Sequence, residues 1–579
     1  MSRIGVFVCH CGLNIASTVD VEQVVELLRD YPGVTFATDY KYMCSDPGQM
    51  MIQEAIEEHR LDGVVVAACS PAMHEATFRE AAANAGLNPY RLEIANIREQ
   101  VSWPHRAEPE AATDKAIEVV RSLVEKVRGD ESLTPFTLPV CKRALVVGGG
   151  IAGLSAAIDI ADAGHPVILV ERSDHLGGQM ARHSHLYLNL RGRGDLLSER
   201  IEAVSQHRLI EVLVGAEVVG FDGYVGNFTV DIRTAGAGGV PPGPDGQGAE
   251  DGHIRHEEVG AVVLATGLDL YASSNMAEYG GGRYPDVVDS LQFEEMLKKD
   301  AILRPSDGLV PQEVVWVQCA GSRAPERHQP YCSKICCMYV AKQAIAFRQA
   351  VPEGQAYVFY IDIRSQGRGY DEYVQQAMEE HGAVYLRGKV SKVIPRNGRL
   401  EVWGVDTLSG RSLRVRADLV VLAMAAVPSS GSDELARLLR VATDENGFLS
   451  EAHPKLRPVE SLTAGVYIAG AAQFPKDIPE TVAQASGAAA KVLKLFAKDE
   501  MVGEPTVAAV DEALCSGCGL CVPACPYDAR ELHPWKQLST VNAALCQSCG
   551  ACAVVCPNKA TTVRNLTARQ VLGMVEAVV

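Results

Sequence analysis

The chain contains no apolar run approaching the roughly 20 residues that a membrane-spanning helix needs, so no membrane span is expected. Its first residues lead straight into a strand-like Ile4-Gly-Val-Phe-Val8 rather than a signal peptide, and a cytoplasmic location is expected. A basic surplus is also missing. Lys and Arg number 54 against 72 Asp and Glu, a net charge of −18 with a pI near 5.4. Binding to nucleic acid or an anionic membrane needs concentrated cations, so protein or small-molecule partners remain. In the middle of the chain no Cys-x2-Cys or Cys-x4-Cys pair is expected to act as a dithiol relay. Reduced thiols in the cytoplasm are better read as metal ligands or redox groups than as structural disulfides.

Cysteine itself is abundant: the 579 residues include 17. Eight form the run Cys515-x2-Cys518-x2-Cys521-x3-Cys525-Pro526 and its repeat Cys546-x2-Cys549-x2-Cys552-x3-Cys556-Pro557, the spacing of a bacterial two-cluster ferredoxin. In that arrangement each fourth cysteine serves the other cluster. Cys515, Cys518, Cys521 and Cys556 would hold one, and Cys546, Cys549, Cys552 and Cys525 the second. A middle set comprises Cys319, Cys332, Cys336 and Cys337, an amino-terminal set Cys9, Cys11, Cys44 and Cys69, and only Cys141 is left over.

The first 130 or so residues alternate β-rich and amphipathic stretches: Ile4 to Val8, then Val21 to Arg29 behind a capping Asp20; Gly33 to Thr38, then Gln49 to Arg60; Val64 to Ala68, then His74 to Ala85. A small parallel sheet is expected, with the cysteines just past its strand ends, where ligands of parallel sheets gather. Ser45-Asp46 and Ser70-Pro71 would open helices whose amino ends favour thiolate. Cluster ligation, zinc ligation and simple burial of four small apolar groups are all open to this set. His10 and His74 are left out of it.

After a linker around Pro135 and Pro139 comes Arg143-Ala-Leu-Val-Val-Gly148-Gly-Gly150-Ile-Ala-Gly153, a helical Leu154 to Ala163, then Val167-Ile-Leu-Val-Glu171. Strand, GxGxxG turn, helix and a strand-ending acid are the context of a dinucleotide site, with Gly148, Gly150 and Gly153 letting backbone amides reach a pyrophosphate and Glu171 binding ribose. The adjoining Arg172, the turn Leu176-Gly177-Gly178-Gln179, the strand end Ala265-Thr266-Gly267 and the distant Gly470-Ala471 favour FAD over NAD. These pieces resemble the FAD half of two-dinucleotide-domain flavoproteins such as the thioredoxin reductases. That family carries a second glycine fingerprint for NADPH. Here the strand Glu313-Val-Val-Trp-Val317 runs instead into Gln318-Cys319-Ala-Gly-Ser-Arg323, so a cysteine stands where the first turn glycine belongs. Its side chain would crowd a pyrophosphate, and a metal cluster in the nicotinamide position is expected, with a redox pair at Cys336 and Cys337 as the alternative.

The expected fold is therefore α/β: a two-dinucleotide-domain FAD core, a small N-terminal α/β domain and a C-terminal two-cluster ferredoxin-like α+β domain. The expected boundaries are 1–130 for the N-terminal domain, 141–290 and 445–497 for the FAD domain, 291–444 for the inserted nucleotide-domain-like region and 505–579 for the ferredoxin-like tail. A Gly/Pro-rich stretch from Thr234 to Gly252 is expected to be a surface loop, and Lys498 to Pro505 a linker.

Over nearly its whole length the sequence resembles the A-type subunit of heterodisulfide reductase, most specifically at Val8-Cys9-His10-Cys11-Gly12, Met43-Cys44-Ser-Asp-Pro-Gly48, Ala68-Cys69-Ser-Pro71 and the Cys319 to Met338 segment. The resemblance implies an oxidoreductase component in which FAD splits electron pairs between ferredoxin and, through partner proteins, a disulfide. It implies a cluster on the middle cysteines beside FAD and a lysine near the flavin ring, here Lys342, for which an ordinary helix-surface cation is the alternative. Longer relatives carry an extra ferredoxin domain where this chain has the Gly/Pro loop, which leaves FAD and four [4Fe–4S] clusters. The implied partners are other heterodisulfide reductase-like subunits, an electron donor of hydrogenase, formate dehydrogenase or NADH dehydrogenase type, and ferredoxin, around a homodimer within a larger complex. The rival readings are a ferredoxin-fused NAD(P)H-dependent FAD oxidoreductase and a passive electron-wiring or assembly subunit.

Overall fold

A computed structural model describes residues 2–187, 193–234 and 253–579. The Thr234 to Gly252 stretch thus lies almost wholly outside the described residues. The chain divides into two compact units, residues 1–138 with 502–579, and residues 139–501. Among the described residues no helix is long and apolar enough to cross a membrane.

The first unit opens on a parallel sheet in the order Val34–Tyr40, Ile4–Cys9, Gly63–Ala68, Leu92–Asn96. Its two central strands are wholly buried, as a parallel sheet covered on both faces requires. The helix Val21–Arg29 begins where the sequence places it, with the Asp20 carboxylate accepting the Gln23 N–H at 3.0 Å. The next two helices, Asp46–Glu58 and Pro71–Asn84, open at the expected Ser45-Asp46 and Ser70-Pro71 positions, ahead of the amphipathic pattern that begins at Gln49 and His74, because Pro47 and Pro71 occupy first-turn positions that need no N–H. Cys9 is the last residue of its strand rather than lying past it.

The tail belongs to the same unit. Asn565 donates to the carbonyls of Tyr90 and Glu131 at 3.1 and 3.0 Å, and Gln570 donates to the Asp130 carboxylate at 2.8 Å. Within the tail, Ala508–Val510 pairs antiparallel with Thr561–Val563, and Arg530–Leu532 with Ser539–Val541. The two stretches expected to be plain linkers hold short strands, Phe136–Pro139 and Glu500–Gly503.

The second unit is built twice from one plan. A five-stranded parallel sheet runs Val466–Ile468, Ala261–Leu264, Ala144–Val147, Val167–Glu171, Ile210–Val214, accompanied by an antiparallel sheet of Ala216–Tyr224, Asn227–Thr234 and His253–Val259. Another five-stranded parallel sheet runs Val287–Asp289, Leu419–Met424, Glu313–Ala320, Gln355–Tyr360, Val384–Arg387, with its own antiparallel sheet of Val390–Arg396, Arg399–Asp406 and Arg411–Ala417. Because Val466–Ile468 returns to complete the first sheet, the second set is inserted within the first, the arrangement of a two-dinucleotide-domain flavoprotein. Apolar clusters fill both halves, one between the first sheet and the helices Ile151–Asp162 and Ile478–Phe496, the other around Trp316 and Phe347.

Candidate functional site

The glycine turn sits at the carboxyl end of Ala144–Val147, where open α/β sheets bind their ligands. Gly148 takes φ +112°, and a Cβ there would stand 2.3 Å from the Ala265 carbonyl oxygen. At Gly153 a Cβ would meet the Gly148 carbonyl at 1.8 Å, so only glycine lets this helix pack so close. Gly150 caps the helix Ile151–Asp162 without any side-chain bond and faces open space, leaving the first N–H groups free for an anion. The Leu176 to Gln179 turn closes onto this loop, the Gly177 N–H donating to the Gly149 carbonyl at 2.8 Å. Gly470 and Ala471 follow the strand Val466–Ile468 in a short 3₁₀ turn, and Gly470 approaches Ala152. Thr266 Oγ1 and Gln179 Oε1, buried polar atoms at this locus, have no protein partner among the described residues. An open helix amino terminus and orphaned polar atoms around it fit a dinucleotide. Replacing Gly153 with alanine should prise the turn open and yield protein that purifies without most of its flavin, read from absorbance at 450 nm against protein.

Two residues expected at FAD have protein partners. Glu171 accepts the Gly149 N–H at 2.6 Å and the Ser173 N–H at 2.8 Å, so its carboxylate braces the glycine turn itself. Arg172 reaches across to the Ser430 carbonyl and the Ser429 hydroxyl.

In the inserted half, the strand Glu313–Ala320 breaks register after Val317, and Cys319 adopts φ +58°, the left-handed conformation that glycine takes at such a turn. Cys336 and Cys337 open the helix Cys336–Ala350. The other three thiols of the set are near enough to raise the Cys336 pKa electrostatically, and its hydrogen bond with Cys337 pushes Cys336 up and Cys337 down. Burial pushes Cys319 up to about 11. Cys332 and Cys337 do have the Cys-x4-Cys spacing of some relay dithiols, but they belong to this larger group of four free thiols.

Lys342, six residues into that helix, is not a surface cation. It is 3% exposed, its Nζ lies 2.6 Å from Glu294 and it donates to the His185 carbonyl at 3.0 Å. Glu294 also accepts from the Ser184 N–H, the Ser184 hydroxyl and Gln343 at 2.8 to 3.0 Å. Burial alone would push the Glu294 carboxyl up, yet Lys342, His183 and the Ser184 amide bring it down to about 2. For Lys342 burial pulls the ammonium down against the opposing pull of Glu294. Nothing local in the chain signals this partnership, because Glu294 comes from the separate helix Ser290–Lys298.

The amino-terminal thiols converge as their strand ends do. Cys11 and Cys44 are within electrostatic reach of Cys9, and Cys11 of Cys69. Burial pushes Cys69 up to about 11, with Arg98 opposing. Arg98, which sequence reading missed, points its guanidinium at Cys11 Sγ at 3.3 Å. His10 is occupied by Asp39 at 2.6 Å. In the tail, Cys515, Cys518, Cys521 and Cys556 line one pocket, while Cys525, Cys546, Cys549 and Cys552 line another, the crossed grouping that the spacing implies.

Backbone amides are aimed at sulfur in all three sets. Cys9 accepts from Cys11 and Met43 at 3.3 and 3.4 Å, Cys332 from Lys334 at 3.4 Å, and Cys525 and Cys556 from Ala529 and Ala560 at 3.3 and 3.2 Å. Such donors suit thiolates, and thiolates need a cation to offset burial. Yet among the described residues no three His, Cys, Asp or Glu side chains are gathered as ligands of one metal ion. Cys141 stands outside every set, its Sγ donating to the Glu258 carbonyl at 3.6 Å.

Residues 144–204 match the family model for FAD dependent oxidoreductases, and residues 514–560 that for a 4Fe-4S dicluster domain. Among solved structures, T. acidophilum thioredoxin reductase aligns with a TM-score of 0.42 and 16% identity over 62% of this chain and 100% of that one. An iron-sulfur A-type subunit of the CoB–CoM heterodisulfide reductase of Methanopyrus kandleri is 41% identical, over 92% of this chain and 91% of the relative. The A-type subunit of the H(2):CoB-CoM heterodisulfide,ferredoxin reductase of Methanothermobacter thermautotrophicus is 38% identical, over 91% of this chain and 90% of its own length. With FAD-dependent and 4Fe-4S modules joined in this order and such identity across both lengths, the chain is an oxidoreductase subunit that belongs to the family of heterodisulfide reductase A-type subunits.

Proposed function

We propose that this chain carries one FAD and four [4Fe–4S] clusters and passes, or bifurcates, electrons between a donor subunit, ferredoxin and a disulfide-reducing partner. The observation that carries this reading is Cys319, a non-glycine residue in glycine's conformation at the end of the strand where a nicotinamide coenzyme would otherwise approach, grouped with Cys332, Cys336 and Cys337. Bound FAD supplies two-electron chemistry that can be released in single-electron steps, and bound clusters take up those single electrons.

The chain's own residues set the terms. The Gly148 to Gly153 loop and the helix behind it would hold the pyrophosphate, with Glu171 keeping the loop in shape. Lys342 Nζ is fixed beside Glu294 and donates to the His185 carbonyl, on the segment that continues from the Gly177 to Gln179 turn. If that charge tunes the flavin, Lys342→Ala shifts its midpoint potentials and turnover, and unchanged values would remove the role. Arg98 would donate to a cluster-bound Cys11. Partner subunits of hydrogenase, formate dehydrogenase or NADH dehydrogenase type would feed the flavin, and the disulfide chemistry would take place on another subunit.

Anaerobic titration tests the reading against a ferredoxin-fused NAD(P)H oxidoreductase and a passive scaffold. Stoichiometric NADH or NADPH added to the isolated chain should leave the 450 nm flavin band intact, while a reduced donor subunit or ferredoxin bleaches it. Direct bleaching by NADPH, or no bleaching by any partner, would contradict it.

A further inference from the structure

The ferredoxin-like tail repeats itself at an offset that carries Cys525 onto Cys556, and the same offset carries Arg530 onto Thr561. The two repeats therefore differ at this inward position, a guanidinium in the first and a hydroxyl in the second. Arg530 is 4% exposed. Its Nη2 donates to Thr561 Oγ1 at 3.2 Å and to Ser539 Oγ at 2.8 Å, and lies 3.5 Å from Cys521 Sγ. Ser539, Thr561 and Cys521 all line the pocket of the first cysteine group, whereas Arg530 itself lines the pocket of the second. Its remaining donors, Nε and Nη1, are buried without a protein partner among the described residues. Among the described residues no carboxylate accepts from this arginine: its acceptors are hydroxyls and a cysteine sulfur. A buried guanidinium cannot shed its proton, so leaving two donors and the charge uncompensated is costly unless something anionic fills the adjacent space.

We propose that Arg530 is a shared tuning cation for both tail clusters, donating to sulfur of each and holding both at a higher reduction potential than the cysteines alone would set. The inference rests on the reading that these two pockets hold [4Fe–4S] clusters. Each cluster gains one negative charge when it takes an electron, and a fixed positive charge within the same low-dielectric interior stabilises that reduced form. Because a single guanidinium lines one pocket and bonds to three residues that line the other, its removal should move both potentials in the same direction, which a hydrogen bond confined to one cluster would not do.

The test is an EPR-monitored redox titration of the full chain as wild type, Arg530→Gln and Arg530→Lys, with iron measured on each. Glutamine keeps a donor and loses the charge, whereas lysine keeps the charge and loses the fork. The expected result is that Arg530→Gln retains its iron and shifts the one-electron equilibrium of both tail clusters at least tenfold against reduction, about 59 mV downward, while Arg530→Lys stays near wild type. Unchanged potentials in Arg530→Gln, movement of only one cluster, or equal shifts in the two variants would overturn the proposal. So would iron loss from both variants, which would mark the residue as structural. Should Arg530→Gln alone lose iron, a wild-type-like Arg530→Lys supports the charge and a shifted one overturns it. Wild-type protein lacking the two tail cluster signals would sink the cluster assignment itself, a separate and visible failure.

Discussion

Replacing Lys342 with methionine should destabilise the unit formed by residues 139–501 by about 3–5 kcal/mol, the cost of leaving a buried carboxylate without its cation. Glu294 is 1% exposed, and once Lys342 is gone it keeps the hydrogen bonds from Ser184 and Gln343 and the weaker electrostatic support of His183. Adding Glu294→Gln should recover much of the loss, because a neutral amide at that position no longer needs the ammonium. The double variant should therefore fall well short of the sum of the single ones. Denaturant unfolding followed by flavin fluorescence reads both. The sign with pH is fixed by the carboxyl, which sits at about 2 in the folded chain against an ordinary 4.5. Its stabilisation is complete above pH 4.5 and is lost only as pH falls toward about 2, so the variant effect should be flat across neutral pH. A Lys342→Met chain as stable as wild type would mean that the pair carries no net charge interaction.

Cys319→Gly should cost the protein one whole cluster while sparing the polypeptide. Cys319 holds a left-handed φ of +58°, which costs a non-glycine residue on the order of 1–3 kcal/mol, and glycine adopts it freely. Relief of that strain offsets part of the lost burial, so the folded unit should survive with its flavin. Iron should fall by about four atoms per chain, the content of one cubane. Full retention of iron would show that Cys319 is no ligand and that Cys332, Cys336 and Cys337 act as thiols.

What the sequence disclosed follows the range of the forces involved. In the tail, the crossed grouping of the eight cysteines into two pockets was legible, since each turn is a local run of cysteine, glycine and proline. The glycine turn and the helix Val21–Arg29 were likewise local. The helix starts at Asp46 and Pro71 were legible as the Ser45-Asp46 and Ser70-Pro71 openings, although the amphipathic pattern itself begins only at Gln49 and His74. Partners brought together only by packing left no trace: Glu294 beneath Lys342, Arg98 on Cys11, and the Gly149 amide that takes the Glu171 carboxylate. Arg530 was within reach, because overlaying the two tail repeats exposes it as a position where they part. The return of Val466–Ile468 to the first sheet was expected from the resemblance, which set 445–497 beside 141–290, while the local sequence shows only a strand followed by Gly470.

The central claim is that thiolate-held iron stands where a nicotinamide coenzyme would feed this flavin. Iron, acid-labile sulfide and FAD measured together on anaerobically purified protein test it most directly. The account predicts about 16 iron and 16 sulfide per FAD. A ratio of about 8, the tail clusters alone, would contradict it.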